Sequence, residues 1–137
     1  MNNTVEIPPE QLIEQIKKLG PWQEKYRYLM KLGSQLNKTS ATEKSEKNLV
    51  QGCESQVWLS TGQLNQVYYF DACSDSRIVS GLIVLLLAAL NHKTASQILN
   101  FDITGYFSEL GLSQQLSQSR NNGLMHIYEH IKKAAQP

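Results

Sequence analysis

Residues 78–90 read Ile78-Val79-Ser80-Gly81-Leu82-Ile83-Val84-Leu85-Leu86-Leu87-Ala88-Ala89-Leu90, a stretch with almost no polar face. A helix that is apolar nearly all round must be covered on several sides, so the rest of the chain has to wrap it. Its longest unbroken apolar run, 82–90, falls far short of the roughly 20 residues that span a bilayer. It is therefore a core helix, not a membrane anchor. With 137 residues, the chain can fold as one domain, 1–137, around such a core.

The flanking segments supply the wrapping. Behind Pro8-Pro9-Glu10, Leu12, Ile13, Ile16 and Leu19 recur at helical spacing until Gly20-Pro21. A second helix is predicted over 22–36, with Trp22, Tyr26, Leu29, Met30 and Gly33 along one side and Lys25, Arg27 and Lys31 mostly elsewhere. Residues 37–48 lack apolar periodicity and read as a long surface loop. Residues 55–59 and 67–72 are rich in aromatic and β-branched residues and predict two strands, joined by a turn at Thr61-Gly62-Gln63-Leu64-Asn65. Centring that hairpin between Gln63 and Leu64 pairs Trp58 near Tyr69 and sets Cys53 opposite Ser74, beside Asp75. Ser74 or Asp75 caps the helix 77–90. Thr94 caps a short helix through Leu99, and 102–110 forms another, ended by Gly111. The segment 113–135 carries a break or cap near Ser119 and an apolar stripe of Leu124, Ile127, Ile131 and Ala134. The expected class is α+β, a small antiparallel sheet flanked by helices.

Lys and Arg number 13 against 12 Asp and Glu. That balance argues against a nucleic-acid binder or an anionic-membrane binder, which needs a concentrated basic surface. There are two cysteines, Cys53 and Cys73. The segment Met1-Asn2-Asn3-Thr4-Val5-Glu6 lacks the basic-then-apolar pattern of a leader, so a reducing cytoplasmic setting is expected. There a cysteine serves as a small buried hydrophobe, a ligand or a nucleophile. Cys53 follows Gly52, which permits a tight or positive-φ turn, and precedes the polar Glu54, Ser55 and Gln56. A nucleophilic role needs the thiolate, and a free thiol titrates near ~8.5. The N-terminus of helix 77–90 would lower that value. Glu54 and Asp75 would raise it, and the residues alone leave the balance open.

His126 and His130 stand four apart on the last helix. With no glutamate in the zincin position directly after His126 and no third ligand, they read as solvated helix positions and no metal is expected. A cysteine hydrolase would need one of His92, His126 or His130 as a base, and none falls beside Cys53 in this arrangement. A module that regulates a partner without carrying a group is a further alternative.

The string Gln51-Gly52-Cys53-Glu54-Ser55-Gln56-Val57-Trp58 closely resembles the signature of the SufE/CsdE family of sulfur acceptors. Three further segments are similar to family motifs and follow in the family's order. They are Trp22-Gln23-Glu24-Lys25-Tyr26-Arg27-Tyr28-Leu29, then Ser74-Asp75 with Arg77-Ile78-Val79-Ser80-Gly81-Leu82, then Ser119-Arg120-Asn121-Asn122-Gly123-Leu124. The resemblance implies a SufE/IscU-like fold and a pyridoxal-phosphate cysteine desulfurase as partner. It implies that the Cys53 thiolate accepts sulfane sulfur as a persulfide. The sulfur would then pass to an iron–sulfur scaffold or another acceptor. It implies no resident cofactor, and it admits a homodimer.

On this reading Gly52, Glu54, Ser55, Gln56, Ser74, Asp75 and Arg120 support the loop or meet the partner. Arg120 is either a solvated helix-end arginine or one that pairs with a carboxylate near the loop, and Ser119 caps its helix. In the isolated protein, the Cys53 side chain is expected to be largely buried against apolar residues near the sheet end and the helix 77–90. Cys73 departs from the family pattern and opens a Cys53–Cys73 disulfide under oxidation.

Overall fold

The computed structural model describes residues 9–136. Pro8 and the segment read for a leader lie outside the described residues. The elements run α1 (Pro9–Lys18), α2 (Trp22–Thr39), a 3₁₀ turn (Glu46–Asn48), β1 (Val57–Leu64), β2 (Val67–Ser74), α3 (Arg77–Leu90), α4 (Ala95–Leu99), α5 (Ile103–Glu109) and α6 (Gln118–Ala135). A two-stranded antiparallel sheet with helices around it makes the class α+β.

α3 is the hub. Ile78, Leu82, Ile83, Leu85, Leu86 and Leu90 are all buried, as the all-round apolar sequence requires. Its N-cap is Ser76, whose hydroxyl accepts from the Val79 N–H, so neither Ser74 nor Asp75 takes that role. α2 crosses α3 at backbone distance. A methyl group on Gly33 would collide with the Arg77 carbonyl, and one on Gly81 with the Leu29 carbonyl. Only α-carbons without a side chain permit that approach.

α2 shows two differences from its sequence reading. First, it continues to Thr39, because the chain beyond it is anchored. Asp71 Oδ2 accepts from Ser40 Oγ (2.8 Å), Ala41 N (2.9 Å) and Thr42 Oγ1 (2.7 Å). Residues 37–48 are thus partly helix and partly a pinned connection. Second, its buried face holds Lys25 along with Leu29, Leu32, Gly33 and Leu36, while Tyr26 is exposed. Lys25 can be buried because its ammonium donates to the Ile16 carbonyl in the last turn of α1 and to the Leu110 carbonyl (3.4 Å) at the end of α5. Both carbonyls sit at helix C-termini, where a cation complements the dipole.

The hairpin register differs from the expected one by four residues. Trp58 pairs with Cys73, not Tyr69, and Val57 pairs with Ser74. The turn is Asn65-Gln66, both at positive φ (53° and 70°), the conformation that a two-residue hairpin of the favoured twist demands. Thr61-Gly62-Gln63-Leu64 belongs to β1 instead. Because the slip is even, each side chain keeps its face of the sheet.

The far edge of β2 is covered by the α3–α4 link. Asn91 Oδ1 accepts from the Phe70 N–H (2.6 Å) and its Nδ2 donates to the Phe70 carbonyl (3.3 Å). The His92 N–H donates to the Tyr68 carbonyl (2.8 Å), and the Tyr68 N–H to the Lys93 carbonyl (2.9 Å).

α4 and α5 start at Thr94 and Asp102 as their caps. α6 is capped by Ser117, whose hydroxyl accepts from the Arg120 N–H (3.1 Å), so Ser119 is not a cap. Among the described residues no helix is long and apolar enough to cross a membrane.

Candidate functional site

Residues 51–56 form a loop closed at both ends by hydrogen bonds. At its base the Val50 N–H donates to the Val57 carbonyl (2.8 Å), and Leu49 bridges to Trp58. At its exit the Gln56 backbone is held by the last residue of β2 and the residue that follows it. The Gln56 carbonyl accepts from Ser74 Oγ (2.7 Å) and from the Asp75 N–H (3.2 Å), and the Gln56 N–H donates to Asp75 Oδ1 (3.1 Å). Ser74 Oγ also accepts from the Ser76 N–H (3.1 Å). The proximity of the loop to Ser74-Asp75 therefore holds, although it is Val57, not Cys53, that stands opposite Ser74.

Between these ends Gly52 adopts φ 92°, a backbone state open to glycine and strained for other residues. The turn sends the Cys53 side chain inward. Its Sγ donates to the Gly123 carbonyl at 3.6 Å, and the residue is half-buried. It faces a cavity of about 50 Å³ lined by Cys53, Glu54, Ser55, Val79, Leu82, Ser119, Arg120, Gly123, Leu124 and Ile127. Val79 and Leu82 come from the first turns of α3, and the residues from Ser119 onward come from α6.

Burial pushes the Cys53 thiol above its usual range, because desolvation disfavours the anion. The thiol is thus held protonated at neutral pH while it faces inward.

Cys73 lies elsewhere. It is buried, and its surroundings are Ser40, Lys44 and Asp71, none of which lines the Cys53 cavity. Both cysteines are free. The two thiols are turned into separate environments, which is unfavourable for the disulfide that the sequence opened.

Of the sequence-predicted residues, Cys53, Glu54, Ser55 and Arg120 line one cavity, while Gln56, Ser74 and Asp75 clasp the loop's exit. Arg120 is half-buried, and among the described residues it forms no ion pair. The ion pairs there are Lys17–Glu109, Lys47–Glu43 and Lys132–Glu129.

Sequence reading placed Leu124 and Ile127 on an apolar stripe and Gly123 in a motif, but assigned none of the three to the site. Their signal was present: they fall at the 3.6-residue period from Arg120. It also set His126 away from the Cys53 loop, and the structure corrects that. A methyl group built on Gly52 would lie 2.8 Å from His126 Cγ and Nδ1 and 2.9 Å from Cδ2, so a histidine does stand beside the loop. No histidine hydrogen-bonds to the thiol among the described residues; its partner is the Gly123 carbonyl. No group of three or more His, Cys, Asp or Glu residues that could hold a metal occurs among the described residues.

Comparison with known proteins adds the family. The model for the SufE Fe–S metabolism associated domain matches residues 10–135. An uncharacterized SufE-like protein of Haemophilus influenzae is 38% identical over 122 residues, covering 88% of this chain and 97% of the relative. Uncharacterized SufE-like proteins of Rhizobium etli and Rhizobium meliloti are 36% and 37% identical, each over 131 residues and 93% of this chain, covering 88% and 94% of the relatives. The solution structure of a hypothetical protein from Thermus thermophilus superposes with a TM-score of 0.73 at 15% identity, over 93% of both chains, and shares the fold. The matched span takes in the Cys53 loop, the hub helix and the α6 wall of the cavity: this chain belongs to the SufE family of domains associated with iron–sulfur metabolism.

Proposed function

We propose that this protein is a sulfur acceptor for a pyridoxal-phosphate cysteine desulfurase, with Cys53 as the carrying thiol. The observation that carries the reading is the placement of Cys53. It sits on a loop turned at Gly52, half-buried, over a small cavity of about 50 Å³ whose lining includes Arg120. Family membership supports it, since a desulfurase partner is what a SufE domain implies.

The step is a thiol–persulfide exchange. The Cys53 thiolate attacks the outer sulfur of the desulfurase's cysteine persulfide. A new S–S bond forms to Cys53, and the donor S–S bond breaks. The desulfurase cysteine leaves as a thiolate with the electron pair, so no external oxidant or reductant is consumed. Transfer onward to an iron–sulfur scaffold or another acceptor repeats the exchange. Arg120 lines the cavity that Cys53 faces, and a cation turned toward the thiolate or persulfide would favour the anion. Glu54, Ser55, Ser74 and Asp75 shape the face presented to the partner. Two free cysteines fit the reducing cytoplasm.

The test is mass spectrometry after incubation with a cysteine desulfurase and free cysteine. Wild type and Cys73→Ser are expected to gain mass in steps of one sulfur atom at the Cys53 peptide. Cys53→Ser is expected to gain none. Sulfur uptake by Cys53→Ser, or acylation in place of sulfuration, would overturn the assignment.

A further inference from the structure

His126 makes a contact that the sulfur chemistry does not use. The three ring atoms Cγ, Nδ1 and Cδ2 lie 2.8, 2.8 and 2.9 Å from the point where a Gly52 Cβ would be. A point equidistant from three atoms of a five-membered ring lies over the ring's face, not at its edge. The bare α-carbon of Gly52 therefore rests on the flat of the imidazole. His126 is exposed and lies one helical turn beyond Gly123, whose carbonyl accepts the Cys53 S–H. α6 thus grips successive residues of the loop from two sides: the ring bears on Gly52, and the carbonyl holds Cys53.

We infer that His126 is a positioning residue that latches the Gly52–Cys53 hinge in its inward form. This rests on the acceptor reading, in which the thiol must turn outward to meet a donor. The left-handed turn at Gly52 is the point where the loop reverses the thiol's direction. A ring packed flat against that α-carbon opposes rotation there, and it adds van der Waals attraction only while the loop is in. Loss of the ring shifts the population toward the outward form without touching the thiol's own surroundings. The glycine and the histidine act as a pair. Any side chain at position 52 would strike the ring, and any smaller side chain at 126 would leave the turn unsupported.

The experiment measures the iodoacetamide alkylation rate at the Cys53 peptide in the free protein, with thermal melting to check the fold. Wild type is expected to react slowly. His126→Ala is expected to react roughly three- to tenfold faster, in keeping with the loss of one aromatic contact. His126→Phe, which restores a flat ring, is expected to return to the wild-type rate, and the melting temperature alone would not report that rescue. Met125→Ala, at the neighbouring exposed position of α6, is expected to match wild type. If His126→Ala fails to fold, His126→Leu takes its place: bulk without a ring face should still accelerate labelling. Rates for His126→Ala or His126→Leu within a factor of about two of wild type would overturn the latch. So would fast labelling of His126→Phe. Sulfur uptake from a desulfurase, read on the same samples, separates the two ideas. If wild type takes up no sulfur, the acceptor reading fails, whereas the alkylation comparison still decides the latch.

Discussion

Cys53 Sγ lies 3.6 Å from the carbonyl oxygen of Gly123, 70 residues further along the chain. That hydrogen bond joins the loop to α6 and turns the thiol from solvent toward the wall formed by Val79, Leu82, Leu124 and Ile127. On the acceptor reading, the environment that would shelter a carried sulfur is the one that quiets the thiol.

A protonated, inward thiol has a pH signature. Burial raises the Cys53 pKa in the folded protein, whereas in the unfolded chain it titrates near ~8.5. The alkylation rate of folded protein should therefore reach its midpoint at higher pH than that of protein in denaturant. The sign carries over to stability. Above the unfolded pKa the unfolded state has released the proton that the folded state retains, so this group's contribution falls as pH rises from there to the folded pKa. A folded midpoint at or below the unfolded one would refute the assignment.

Asp75 clasps the loop and faces solvent. Asp75→Asn keeps an oxygen for the Gln56 N–H, and should leave melting and desulfurase binding near wild type. Asp75→Arg removes that acceptor and reverses the charge on the face proposed to meet the partner. Calorimetric titration with a desulfurase should show a changed affinity for the arginine variant and a small change for asparagine. Identical isotherms for all three proteins would exclude this face.

Lys25 should prove a structural residue. Lys25→Met leaves the Ile16 and Leu110 carbonyls without their ammonium. Losing hydrogen bonds from a buried cation should cost about 1.5–3 kcal/mol in urea unfolding. An exposed substitution such as Lys31→Met should cost under about 0.5 kcal/mol.

Gly81→Ala sets two effects against each other. In an open helix the change would stabilise by up to about 1 kcal/mol. Here the methyl group meets the Leu29 carbonyl across the α2–α3 crossing, and overpacking costs about 1–3 kcal/mol or more. Net destabilisation is expected in chemical denaturation, and a stabilised variant would show that the crossing can widen freely.

What was legible in the sequence was what local chemistry decides. Residues 78–90 had to be a covered helix because they have no polar face. Gly52-Cys53 marked the loop because glycine before a cysteine signals a turn. Thr94 and Asp102 marked helix starts through their side chains. The hairpin register failed because Gly62 looked like the turn, while the strands close instead on Asn65-Gln66 at positive φ. Lys25 was placed on the wrong face because periodicity counts a lysine as polar, and only the carbonyls of two distant helix ends make its burial tolerable. His126 was illegible for a related reason. Its partner is a glycine α-carbon, which carries no pattern, and the contact exists only once α6 has packed beneath the loop.

The two clasps at the ends of the loop also set a length. Val50 is fixed to Val57 and Gln56 to Asp75, so any excursion of Cys53 must come from the residues between. Extended chain spans roughly 3.3–3.6 Å per residue, and the arm from Val50 to Cys53 therefore reaches about 10 Å at most. On the acceptor reading, a donor sulfur must travel the rest of the distance itself, carried on a tether of its own or presented at the floor of a shallow cleft.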